Sequence, residues 1–176
     1  MEKKFTDFEE LRKRIDLKCK SLHAINEKYM VCKKGCDECC MNFNLLPIEF
    51  NAILEAIKPL DIKINSNSAH DVCPFLVDHE CQIYEHRPII CRSHGLPILT
   101  MDEEGENWEL SFCPLNFTNT DEDYFEEEKC YEQDVFNSEL YMINQDHSTS
   151  TGIDPHEMSD LHQLAERYSS ERLKRK

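Results

Sequence analysis

The sequence predicts a mainly α fold with an irregular middle and little β structure. Three observations carry this. Apolar residues recur at helical spacing near both ends of the 176-residue chain. Between them, residues 73–115 fall into short segments pinned by Pro74, Pro88, Pro97 and Pro114. That middle lacks the regular apolar face of a sheet or bundle, yet holds much of the chain's cysteine.

The elements follow in order. Residues 5 to about 30 read as one amphipathic helix, with Phe5, Phe8, Leu11, Ile15, Leu22, Ile25 and Tyr29 at spacings of three, four and seven. Thr6 and Glu9 have the spacing of a capping box at its start. Cys19 falls near the apolar face and reads as a core cysteine. A second helix is expected from Pro47, a first-turn residue, with Ile48, Ile53, Leu54 and Ile57 as its stripe and Pro59 as its stop. Residues 61–72, rich in Asn and Ser, read as a surface loop. Arg87-Pro88 opens a short helix through Cys91, and residues 108–112 (WELSF) form a short strand. Residues 121–145 are acidic and expected to be helical. Asp154-Pro155 starts a last helix carrying Met158, Leu161, Leu164, Ala165 and Tyr168 on one side, and the basic end ERLKRK is its solvated terminus.

A net charge of -15 repels nucleic acid and anionic membrane surfaces, so neither is expected as a partner. The first twenty residues are charged throughout, with no apolar run for a signal peptide or a membrane helix. A cytoplasmic, reducing location is therefore expected, where 10 cysteines serve metal or redox chemistry and not disulfides.

Cys32, Cys36, Cys39 and Cys40 form the pattern C-x3-C-x2-C-C. Either a helix or a loop turned at Gly35 would bring them together, and the charged residues between them argue against a buried helix face. The spacing also occurs in radical-SAM enzymes, but this chain is too short for their barrel and has no strand–helix alternation. Cys73, Cys81, Cys91 and Cys113 follow at wider spacings. Adjacent cysteines point apart in helix and strand, so Cys39 and Cys40 do not suit one mononuclear ion. Eight thiols divide into two four-thiolate sites, or one multi-iron centre plus a structural ion. Lys33, Lys34, Arg87 and Arg92 lie beside the cysteines and offset the charge of thiolates. His94, three residues after Cys91, is either an additional ligand or a hydrogen-bonded structural histidine, and Arg87 is a candidate for supporting the ligands. His23, His70, His147, His156 and His162 have no convergent partners and read as surface residues.

The first cluster, the stretches CPFL from Cys73, CQIYEHRP from Cys81 and CRSHGLP from Cys91, and Cys113-Pro114 together resemble the CxxCxxCC cysteine-cluster family of zinc- or iron-chelating domains, with YkgJ-like proteins as typical members. The resemblance covers residues 32 to about 115. It implies that Cys32, Cys36, Cys39, Cys40, Cys73, Cys81, Cys91 and Cys113 hold the metal, and that Cys19 and Cys130 do not. The resulting organisation is an N-terminal helix packed on the domain (1–31), a small metal-stabilised cysteine-cluster domain (32–115) and an acidic C-terminal helical extension (116–176).

The expected function is metal binding through clustered thiolates, with a protein partner and no turnover of its own. An iron–sulfur cluster is preferred to Zn2+ because adjacent cysteines suit a polynuclear centre. The alternative is an iron–sulfur-dependent protein-modifying enzyme resembling flagellin lysine N-methylase. No catalytic constellation stands beyond the ligands, and there is no glycine-rich turn of the kind that cradles a nucleotide cosubstrate. Serine at Cys39 or Cys91 is expected to cost metal and stability, and serine at Cys130 neither.

Overall fold

The computed structural model describes residues 5–33 and 35–175; Lys34, Lys176 and the first four residues lie outside that range, and with them the expected role of Lys34. Helix makes up 47% of the chain and strand 12%, with five α-helices among the described residues. They are α1 (Thr6–Asn26), α2 (Pro47–Ile57), α3 (Ile90–Ser93), α4 (Gln133–Thr151) and α5 (Leu161–Leu173).

Most of the expected stripe of α1 is buried, with Phe8, Leu11, Ile15, Cys19 and Leu22 facing inward, but Ile25 is exposed and the helix stops at Asn26, leaving Tyr29 in a 3-10 turn. Its start differs from expectation. Thr6 is already the first helical residue, preceded by Phe5, so the expected capping box does not form the start. Helix α2 begins on Pro47, where the missing N–H costs nothing, and ends before Pro59. Its Ile53, Leu54 and Ile57 enter one core and its Ile48 and Ala52 another, so α2 stands between the two.

The first core joins α2 to α5 through Leu161, Leu164, Ala165 and Tyr168, and takes in Cys73, Phe75 and Ile83 from the middle of the chain. The second joins α1 to Leu140 of α4 and takes in Ile89, Leu96 and Tyr131. The irregular middle is thus pinned at both ends to helical cores.

Two expectations at the C-terminal side are corrected. Residues 121–145 are not one helix: short 3-10 turns at Glu122–Tyr124 and Glu127–Lys129 come first, then a strand, and α4 begins only at Gln133. A run of Asp and Glu repels itself in a helix, whereas Tyr131 gains full burial by pairing with a strand. α4 runs on past His147 and ends at Gly152, whose φ of 73° is the left-handed stop. The last helix does not start at Pro155. It starts at Leu161, where the Asp160 carboxylate accepts from the Gln163 backbone N–H and the Gln163 side chain accepts from the Asp160 N–H, a complete capping box. Met158 is left exposed.

The strands are short. β1 (Asn44–Leu45) pairs antiparallel with β7 (Ser159–Asp160). β2 (Leu76–Val77) and β3 (Glu80–Cys81) form a hairpin. Its two turn residues, Asp78 and His79, both have positive φ, the geometry that matches strand twist in a two-residue turn. β4 (Ile98–Met101) pairs antiparallel with β5 (Trp108–Ser111), the expected WELSF strand, and parallel with β6 (Tyr131–Glu132).

Candidate metal centre

Seven of the eight cluster cysteines line one cavity of about 600 Å³: Cys32, Cys36, Cys39 and Cys40 on one side, Cys73, Cys81 and Cys91 on the other. Every one of the ten cysteines is a free thiol. The cavity is assembled from non-contiguous loops. Cys36 N–H donates to Lys33 O at 2.9 Å and Cys40 N–H to Asp37 O at 2.8 Å, so the first cluster is two successive turns and neither helix nor strand. Cys73 N–H donates to Cys40 O at 3.1 Å, and Met41 forms a bridge with Val72. Cys81 sits in the hairpin opposite Leu76. Cys91 is on α3, which is held by a buried carboxylate: Glu49 of α2 accepts from Ile89 N–H at 2.9 Å. The His79 ring and the Asp37 carboxylate, 2.8 Å apart, link the hairpin to the first cluster.

The turns bring adjacent thiols together. Cys39 and Cys40 share a side-chain hydrogen bond, which pushes the Cys39 thiol down to about 6, with burial opposing and Arg87 helping. The Cys40 thiol moves up for the same reason, reinforced by burial. The expectation that these two point apart holds for regular helix or strand, and this segment is neither. Burial pushes Cys73 up to about 11 and raises Cys81 and Cys91 as well. Burial also raises Cys32, against a hydrogen bond from Asn116. Most of these thiols therefore hold their protons until something displaces them, and metal uptake here releases protons.

Cys113 is outside the cavity wall but close to Cys32. The connection is Asn116, a fully buried residue. Its Nδ2 donates to Cys32 Sγ at 3.2 Å and to Gly95 O at 2.7 Å, its Oδ1 accepts from Val31 N–H at 2.9 Å, and its own N–H donates to Cys113 O at 2.9 Å. Gly95 is required at its position: its φ is 92°, and a Cβ there would stand 2.9 Å from Cys32 Sγ.

The non-thiol groups divide by role. His94 lines the cavity, stacks on Phe43 with ring centroids 5.2 Å apart, and has a buried Nε2 with no hydrogen-bond partner. Burial, then Arg87, lowers its pKa, so the ring is neutral and able to donate a lone pair. Arg87 lines the cavity, with its guanidinium over the Tyr84 ring at 4.0 Å. Arg92 does not serve as a free counter-charge: it is buried, bonded to Asp16 Oδ1 at 2.5 Å and to the carbonyls of Glu85 and Arg87. His23 is exposed, as expected, but at the rim of the cavity, whereas His147 is not a surface residue and is buried in α4. Cys19 and Cys130 are buried core residues away from that wall.

Soft, half-buried free thiols around one cavity, with a neutral imidazole and a nearby guanidinium, are a donor set for Zn2+ or an iron–sulfur centre. Among the described residues no three Cys, His, Asp or Glu side chains stand together as a finished metal site.

Residues 31–114, just under half of the chain, match the model of a family described as "Putative zinc- or iron-chelating domain". That family is named CxxCxxCC, and the likeness is confined to this segment. No curated protein and no solved structure matches the chain. The CxxCxxCC domain includes seven of the eight expected ligands inside its cavity wall and the eighth, Cys113, one residue before its end. Asn116, which ties Cys113 to Cys32, falls just outside the matched segment; a single Asn has no periodicity or spacing to single it out.

Proposed function

We propose that this protein binds metal through the thiolates of its CxxCxxCC domain, as an iron–sulfur centre in preference to Zn2+, and acts as a carrier or regulatory module for a protein partner in the cytoplasm. The observation that supports this most is the gathering of seven free thiols around a single cavity. In a reducing compartment such a group is stable only when it is ligated or protonated. The crowding of seven thiols on one cavity wall favours iron–sulfur, since more thiolates gather there than one mononuclear ion takes. Among the described residues no helix is long and apolar enough to cross a membrane. A bound cluster would supply structural cross-links or one-electron chemistry. Arg87 would offset its negative charge, and the buried carboxylate of Glu49 would keep Cys91 in place through Ile89.

An iron–sulfur-dependent protein-modifying enzyme is the second reading. It is favoured by the same cavity having His23, Tyr84 and Arg87 in its wall beside the thiols. Anaerobic purification followed by metal, sulfide and absorption measurements tests both. Several irons with labile sulfide support an iron–sulfur protein, and tight zinc without colour would replace it with a zinc module. Ten free thiols and no metal would overturn the proposal.

A further inference from the structure

The eight thiols fall into two sets held by different parts of the backbone. In the first, Asn116 links the Cys113 turn to the Cys32 thiol, the Cys36 turn closes on Lys33, and Cys39 lies inside the following turn, which Cys40 closes on Asp37. Cys32 feels the nearby Cys113, Cys36 and Cys39 thiols. In the second, Cys73 is bonded to Cys40 through the backbone and leads into the hairpin that carries Cys81. Cys40, Cys73 and Cys81 all belong to or pack against the first core. Cys91 lies near Cys73 and Cys81, and Cys40 lies near its neighbour Cys39 and also near Cys73 and Cys81. The two sets meet at the adjacent pair Cys39 and Cys40.

We propose that the domain holds two four-thiolate centres with the Cys39–Cys40 peptide as their common edge: an outer one on Cys32, Cys36, Cys39 and Cys113, and an inner one on Cys40, Cys73, Cys81 and Cys91. This rests on the metal-binding reading above. The adjacent cysteines then have a purpose: each thiol serves a different centre, and one peptide fixes the distance between them. The outer centre is built on loops and includes the exposed Cys32, so it exchanges metal. The inner one is continuous with apolar packing, so it is structural.

The test uses the full chain purified without oxygen, with metal per chain counted by elemental analysis and folding followed by circular dichroism. Three double variants are compared: Cys32→Ser with Cys36→Ser, Cys73→Ser with Cys81→Ser, and the mixed pair Cys36→Ser with Cys81→Ser. The outer pair is expected to lose one complement of metal, no more than Cys36→Ser alone, and to keep its helix signal. The mixed pair should lose both complements. A chelator should strip from the wild type first the complement that the outer pair lacks. If Cys36→Ser alone loses all metal while remaining folded, there is a single centre and the allocation is wrong; the same follows if the outer pair loses more than the single variant. These outcomes do not need the inner pair to fold. A wild-type chain without metal would overturn the metal-binding reading itself, a result distinct from full metal with a different pattern of loss.

Discussion

The two cores of this protein are of similar size but differ in what completes them. The second, between α1 and α4, is closed by aliphatic and aromatic side chains, and its one cysteine, Cys19, is outside the cluster. The first, between α2 and α5, contains Cys73 and has Cys40 and Cys81 packed on its edge. One core ends in hydrocarbon and the other in thiols that line the cavity. Hydrophobic burial stabilises both, but only the first shares its boundary with the proposed inner centre. Metal binding should therefore act on the two cores unequally.

The largest expected effect is removal of metal. A ligand present at a thousandfold its dissociation constant stabilises a fold by ~4 kcal/mol, and that stabilisation should sit mainly in the first core. Hydrogen exchange before and after chelation should show amides of α5 and of the β2–β3 hairpin losing protection, with α1 and the middle of α4 changing little. Equal loss in α1 would mean that the two cores form one cooperative unit.

Next are single truncations on each side. Phe75 and Leu11 are both fully buried, in the first and second core respectively. Phe75→Ala should cost ~3–5 kcal/mol and Leu11→Ala ~2–5 kcal/mol. The difference lies in the metal: Phe75→Ala should also weaken metal retention, because Cys73 and Cys81 flank it in the same core, while Leu11→Ala should leave the metal content unchanged. Thermal melts paired with elemental analysis measure both. Metal loss from folded Leu11→Ala would break the comparison.

The two cores also differed in how much the sequence disclosed. The stripe of Phe8, Leu11, Ile15 and Leu22 shows the inner face of α1 directly, because helical periodicity is a local signal. The gathering of seven of the eight cysteines around one cavity was equally visible in their clustering along the chain. What surrounds them was not. Asn116 matters because a turn after Cys113 aims its amide at Cys32, a long-range placement without any sequence pattern. The turn that carries Cys39 and Cys40 has no periodicity, so reasoning from helix or strand did not describe their setting. The start of α5 was legible and passed over: Asp160 and Gln163 have the capping spacing, but Asp154-Pro155 offered a stronger-looking start upstream.

Glu49 provides a test at the boundary between the cores, since α2 separates them and its buried carboxyl reaches to Ile89 of the second. Burial pushes this carboxyl up to about 7 from its ordinary 4.5. A raised carboxyl favours the protonated form in the fold. Its contribution is complete below about pH 4.5 and is lost as the pH rises through about 7. Glu49→Gln cannot ionise, so over that window its stability should fall less steeply than that of the wild type, by at most ~1.4 kcal/mol per pH unit. Urea unfolding of both proteins at equal metal content, at a series of pH values, reads the difference. Parallel curves would show that Glu49 is ionised in the fold throughout.

The smallest effect, and the one that separates core cysteines from ligands most directly, is at Cys130. The sequence suggested that serine there would change neither metal nor stability. The structure argues against the second half: Cys130 is completely buried, and burial raises its thiol pKa. Serine replaces a weakly polar thiol with a hydroxyl that demands a partner, at a cost of ~1–3 kcal/mol if none forms. The variant should melt earlier and keep its full metal content. Cys91→Ser, at a comparable change in volume, should lose metal from the inner centre. If Cys130→Ser lost metal while still folded, the line between buried structural cysteines and ligand cysteines would have to move.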